Sequence, residues 1–384
     1  MAHDHRFVIL HGKKNDRSVW RMWAAAWIVT AIFILSNSAT PLYVRWQSSI
    51  DFSSTMLTAI FAAYILGLLL TLLVVGQLSD RFGRRPVLVP GLAAAIIACL
   101  LFAGAQSVIM LLIARFLSGI AVGAAVSAGM ASVVDLGGPD RRRQASLLAS
   151  VSMVLGAGLG PLLAGSLALA LPEPILPIFG AELAILASAT LLVFLLGTPT
   201  ASAAWRLRLP SVPQPNRRHL AFGIAVFGPG ITATSFVLSL GPSLLSRLIG
   251  VASPLIAGAM ACGMFLTATG VQFLARSRPV RTIFLLGASA TVLSMVGIGI
   301  AVAASSAVAL IVGGLTLIGL HVPAERRAEA NAVLNIGGYI PAGLMPMATG
   351  LVIDRAGLAT GAICFAVALA VIAVAGGFFV GRNL

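Results

Sequence analysis

Between residues 22 and 380 the chain is a succession of long apolar runs, separated by short segments that hold most of its charge. Crossing the hydrocarbon of a bilayer takes about 20 apolar residues in a helix. The runs fall at 22–44, 55–78, 87–104, 107–134, 145–171, 175–197, 220–246, 252–274, 282–300, 304–321, 330–352 and 358–380. Such a chain cannot be a water-soluble domain. Only 9% of its 384 residues are charged against 59% apolar, and mean hydropathy is +1.03, whereas a soluble surface takes roughly 25% charged residues. Soluble enzymes, disordered chains and disulfide-stapled scaffolds are excluded with it. Lipid offers no partner to an unpaired backbone group, and no alternating ten-residue barrel pattern appears, so every run reads as a helix. The expected fold is an all-α membrane protein with twelve transmembrane helices.

Charge tests the span count independently. With the N-terminus inside, 21 of the 25 basic residues fall on cytoplasmic segments. The outer loops hold three, Arg45, Arg247 and Arg355, and Arg115 lies within a span. Arg and Lys stay on the cytoplasmic side during insertion. Removing one span from the middle would send every later loop to the wrong face. The net charge of +14 therefore reports topology, and no nucleic-acid partner is expected. Cys99, Cys262 and Cys364 all sit in apolar runs and form neither a disulfide framework nor a metal site. The polar N-terminus shows no cleavable signal pattern.

The Pro-, Ser- and Arg-rich segment 198–219 falls near the midpoint and reads as a cytoplasmic linker. It divides a tail (1–21) and a first six-helix bundle (22–197) from a second (220–384). A shift of 185 residues lays Gly156-Ala-Gly-Leu-Gly160-Pro161 over Pro341-Ala-Gly-Leu-Met345-Pro346, and Gly165 over Gly350. Near the start of each half the shift is 201, matching Pro41 to Pro242. Parallel halves related by an axis along the membrane normal are a transporter architecture. The second half is shorter, and its weakest point is the tenth span, which is barely long enough to cross.

The sharpest local signal is the turn Gly76-Gln-Leu-Ser-Asp80-Arg81-Phe-Gly83-Arg84-Arg85 between spans two and three. An acidic residue among three arginines can build a charge-assisted network, and the glycines permit a tight turn. The turn resembles the loop pattern G-x-x-x-D-R-x-G-R-R of the major facilitator superfamily, matched at each defined position. The resemblance implies two pseudo-symmetric six-helix bundles and a latch. In that family the Asp and its Arg partners hold the two halves together on the cytoplasmic side, near the start of span eleven. Asp80 would then be favoured by a helix N-terminus, and Asp135 at the inner end of span four would complete the cluster. The equivalent loop of the second half has Arg276, Arg278 and Arg281 without an acidic residue.

Span five carries Gly156-x-x-x-Gly160-Pro161-x-x-Ala164-Gly165. Small residues four apart flatten a helix face for close packing, and the proline permits a bend. This resembles the family's antiporter motif G-x-x-x-G-P-x-x-G-G, with Ala164 in place of one glycine, and implies an exporter. Arg115, followed by Gly119 and Gly123, lies about 10 Å below the outer surface by helical rise. A charge at that depth faces a watery cavity or a partner. Its spacing resembles the family's span-four pattern, which links the arginine to proton coupling or substrate. Glu182 in span six lies at matching depth and is its best carboxylate partner, although the resemblance places span six at the periphery. Span one offers Asn37, Thr40 and Tyr43 with no acidic residue, and Asp51 follows only in the outer loop. Proton coupling therefore rests on the motifs alone.

The same resemblance implies cavity walls from spans one, four, seven and ten, supplemented by two, five, eight and eleven. They bring Asn37, Tyr64, Thr232, Thr234, Ser239, Asn335 and Tyr339 among apolar residues, a lining suited to a small amphipathic compound. The expected function is secondary active transport: proton-coupled efflux of small amphipathic, drug-like molecules. A sugar, amino-acid or organic-acid carrier of the same fold is the alternative, and a non-transporting structural or receptor protein the alternative from another class. No enzyme is expected, because His219 and His321 lie at cytoplasmic ends, far from any nucleophile set at depth. No phosphate-binding G-x-x-x-x-G-K loop occurs. The expected partners are substrate and lipid, with no cofactor or metal. The expected state is a monomer in the plasma membrane, with both termini cytoplasmic.

Overall fold

Helix starts are written in the sequence where a hydroxyl precedes an apolar run. Ser53 accepts from the Met56 N–H at 3.2 Å and opens α3 (Ser54–Phe82). Ser107 does the same for α5 (Val108–Ala124) through Met110. Each satisfies a donor that the first helical turn leaves open. Helix α4 (Arg85–Ala103) begins with Pro86 in its first turn, where a missing N–H costs nothing. The computed structural model describes residues 4–196, 217–247, 250, 253–275, 279–304 and 328–383. Among the described residues there are thirteen α-helices and no strand.

The first span is α1 (Asp4–Ser38), a single 3₁₀ turn (Thr40–Leu42) and α2 (Tyr43–Ile50). Pro41 lies in the first turn of that 3₁₀ element, so it redirects the span instead of ending it, and the span runs to residue 50 where 44 was expected. The fourth span is α5, a wide π turn (Ala125–Gly129) and α6 (Met130–Gly137). The remaining helices are α7 (Arg142–Ala170), α8 (Ile175–Leu196), α9 (Arg217–Arg247), α10 (Pro254–Ala275), α11 (Val280–Ala303), α12 (Ala328–Ala356) and α13 (Leu358–Asn383). Among the described residues, ten stretches are long and apolar enough to cross a membrane. Helix α12, 29 residues long, packs among them. The expected tenth span and most of the expected linker lie outside the described residues.

In lipid there is no hydrophobic drive between helices, so close packing and small residues must hold them. A Cβ on Gly67 would lie 2.2 Å from the Phe116 carbonyl oxygen, and one on Gly119 would lie 2.1 Å from that of Tyr64. Helices α3 and α5 therefore touch backbone to backbone. Within the first half, α1 packs on α7 and α8, and α4 on α5 and α8. Within the second, α12 packs on α9 and α13, and α11 on α13. Two seams join the halves: α7 against α10, and α3 against α12. Large apolar side chains such as Leu70, Leu195, Leu286, Val371 and Phe378 are exposed, as a lipid-facing surface requires. Trp20, Trp23 and Trp27 are exposed near the arginine-rich end of α1, where indole rings favour the membrane interface.

Candidate functional site

Between the two seams lies a cavity with about 960 Å³ of empty space, part of it continuous with solvent. The first half contributes Phe33, Asn37, Phe61, Tyr64, Arg115 and Met153; the second contributes Thr234, Ser235, Met264, Phe265 and Tyr339. Asn37, Tyr64, Thr234, Tyr339 and Arg115 were expected there. Thr232 and Ser239 were also expected, but they are buried and their hydroxyls donate to the carbonyls of Gly228 and Ser235 in their own helix. The side chain of Asn335 lies outside the described residues. The aromatic and methionine lining was not foreseen, because such residues in an apolar run carry no mark of which face they occupy.

Arg115 is 1% exposed. Its Nη1 donates to the Ser36 carbonyl and its Nε to the Tyr43 hydroxyl. Its guanidinium carbon lies 4.6 Å from the Phe61 ring centre and 5.1 Å from that of Tyr43, both within cation–π range. Nη2 has no hydrogen-bond partner. Behind it Trp46, Phe102 and Phe179 form a stack with ring centres 5.5–6.2 Å apart. The site is thus a rigid aromatic wall carrying one cation with a donor to spare.

Glu182 does not pair with Arg115. It is fully buried, accepts from the Ser38 hydroxyl and leaves Oε2 without a partner. Arg115 bonds the Ser36 carbonyl and Glu182 the Ser38 hydroxyl, so each is held by a different group of α1. Glu182 does not line the cavity.

At the arginine-rich end, Gly83 (φ +90°) makes the turn that only glycine adopts without strain. Arg84 bridges Asp135 at 3.1 Å and donates to the Ser79 hydroxyl at 2.8 Å. Arg81 lies over Phe82 and Arg85 over Phe194. The structure brings Arg84 and Asp135 together within the first half; the side chains of Gly76 and Asp80 lie outside the described residues.

Helix α7 uses its small residues on two faces. A Cβ on Gly156 or Gly160 would strike the carbonyl oxygens of Thr30 and Ile34 on α1. One on Gly165 would lie 2.5 Å from the Pro254 carbonyl oxygen, and the Pro161 carbonyl oxygen faces Gly258 at 2.2 Å from an added Cβ. The second face seals the α7–α10 seam towards the arginine-poor end. Ala164, the departure from the family pattern, is fully buried. The other seam holds a residue that the sequence reading passed over. Asp354 of α12 accepts from the backbone N–H groups of Ser54 and Thr55 at the start of α3, both at 2.9 Å.

The family model described as Major Facilitator Superfamily matches residues 22–320. Among curated proteins, a multidrug resistance protein MdtL of Shewanella oneidensis is 28% identical over 207 residues, 53% of this chain and 52% of that one. An uncharacterized transporter of Rickettsia felis is 35% identical over 114 residues, 28% of each chain. The chain thus spans about half, or less, of the length of these curated relatives. Among solved structures, a bacterial homolog of the human lysosomal transporter Spinster superposes with a TM-score of 0.71 at 16% identity, covering 96% of this chain and 97% of that one. A point mutant of the nucleoside transporter NupG does so with 0.73 at 13% identity, covering 94% and 99%. These likenesses show the fold, and the family match spans most of the chain. The chain belongs to the major facilitator superfamily and is a multi-pass membrane protein.

Proposed function

We propose that the chain is a secondary active transporter of the plasma membrane, with both termini cytoplasmic, that exports small amphipathic molecules in exchange for protons by alternating access of its two halves. The observation that carries this reading is the cavity between the seams, with its aromatic and methionine walls, a few hydroxyl and amide groups, and one guanidinium. Apolar walls with sparse polar groups suit amphipathic ligands and discriminate weakly among them. The antiporter-motif residues Gly156, Gly160, Pro161 and Gly165, and the MdtL relatives, support export. Asp80, Arg81, Arg84, Arg85 and Asp135, with Gly76 and Gly83, would form the inner latch. A second reading, an organic-acid carrier, draws support from the unpartnered Nη2 of Arg115.

The test is transport by the purified protein in liposomes across a panel of dyes and metabolites, with and without an imposed pH gradient. Gradient-driven movement of amphipathic dyes supports the proposal. Movement that ignores the gradient removes proton exchange and leaves a uniporter. Movement of carboxylates alone selects the second reading.

A further inference from the structure

Asp354 is the third residue from the end of α12, and its contact crosses the molecule. Its Oδ1 and Oδ2 take the first two backbone donors of α3, which belongs to the other half. The next donor, the Met56 N–H, goes to Ser53 within the same turn. A helix N-terminus carries about half a positive charge, and a carboxylate taking its N–H groups makes the stronger, charge-assisted kind of bond. One turn earlier on α12, Gly350 lets the backbones meet: a Cβ there would lie 2.5 Å from the Thr58 hydroxyl and 2.8 Å from the Thr55 Cα. Among the described residues the α7–α10 seam shows no such pair; the 185-residue shift that aligns Gly165 with Gly350 puts Leu169 opposite Asp354.

The segment also repeats a pattern found at the other end of the same seam. Asp354-Arg355-Ala356-Gly357 closes α12, and Asp80-Arg81-Phe82-Gly83 closes α3. Both helices are 29 residues long, both aspartates are third from the last residue, and the two glycines have φ of +90° and +89°. Helices α3 and α12 thus end alike at opposite faces of the molecule.

We propose that Asp354 is the outer latch of the transport cycle: its carboxylate clamps the start of α3 and holds the two halves closed at the outer face. The proposal rests on alternating access, not on any substrate or coupling ion. Opening the outer face must draw α3 away from α12 and return two N–H groups and the carboxylate to water. Asp354 lies at the exposed rim, so water replaces the lost bonds and the latch releases at modest cost. Its loss therefore favours the outer-open form without unfolding either half.

The test uses the full chain in lipid nanodiscs, with Cys99, Cys262 and Cys364 replaced by alanine and spin labels on Ser48→Cys and Thr360→Cys, both exposed near the outer ends of opposite halves. Electron–electron distance measurements then report the outer gap without any substrate. Asp354→Ala should raise the ratio of the long to the short distance by about tenfold, and Asp354→Asn, which keeps one acceptor oxygen, by less. Ser54→Pro is an independent arm. It deletes one donor at the first helical position, where proline is favoured, and Ser53 already has the extended ψ of 168° that a following proline needs. It should shift the ratio in the same direction and add little to Asp354→Ala, because both remove the same contact. Unchanged distances in Asp354→Ala and Ser54→Pro, or shifts that simply multiply in the double variant, would overturn the latch. Failure of every substrate in the liposome panel would leave this result standing and strike only the export reading.

Discussion

At the scale of single residues, the informative side chains are those that the bilayer penalises. Arg115 was legible because a guanidinium within an apolar run must have a reason to be there. Its surroundings were not legible. Depth along a helix can be counted from sequence, but the direction in which a side chain turns cannot, so Glu182 looked like a partner when it bonds Ser38 and lies off the cavity wall. Two outcomes follow from that geometry. Tyr43→Phe leaves the Arg115 Nε without an acceptor, at a cost of about 1–3 kcal/mol. A lower midpoint of thermal unfolding in detergent checks it. Arg115→Met removes the only described charge on the cavity wall, whereas Glu182→Gln changes a group outside it. Binding of an anionic ligand, measured by tryptophan fluorescence, should weaken about tenfold or more in the first, the worth of one charge-assisted bond, and stay unchanged in the second. Equal weakening in both would place Glu182 in the site after all.

At the scale of elements, α3 is the helix on which the two proposed latches would meet. The family resemblance sets Asp80, near its last turn, against the start of α12 at the arginine-rich face, and the structure sets Asp354, near the last turn of α12, against the start of α3 at the opposite, arginine-poor face. The inner half of this arrangement is an expectation that the sequence raises by itself, because the motif is dense in charge. The outer half is not, since a lone aspartate at the end of a span has no meaning until its partner, 300 residues away, is known. If the two clamps oppose each other, they must act in opposite directions. Asp80→Asn should leave membrane insertion intact, abolish transport, and move the Ser48–Thr360 distance towards the shorter population. Movement towards the longer one would show that the two aspartates are not counterparts. The α7–α10 seam tests closure by packing alone. Gly258→Val drives a side chain into the Pro161 carbonyl, so the outer gap should widen there as well, while expression and folding within each half persist.

At the scale of the whole molecule, the all-helical membrane fold was legible from charge and length, because the membrane imposes it; ten of the twelve expected spans are found among the described residues by length and apolarity. The cavity's electrostatic character needed the structure as well. Of the eleven acidic residues, only Glu182 falls within a predicted span, and of the twenty-five basic residues, only Arg115 does. With Glu182 off the cavity wall and Arg115 on it, the field in the cavity is set by a positive charge. A second cation held about 6 Å away, at an effective dielectric of about 20, meets a repulsion of about 2–3 kcal/mol, and an anion gains as much. A permanently charged lipophilic cation should therefore bind at least tenfold more weakly than an uncharged or anionic compound of the same size and shape. Matched dyes differing only in charge, measured against wild type and Arg115→Met, decide the matter. The preference should disappear in the variant if the guanidinium creates it. Equal binding of cation and anion by the wild type would mean that the cavity field is neutralised by a group other than those placed on its wall, and the assignment of Arg115 as the charge-selecting residue would then fail.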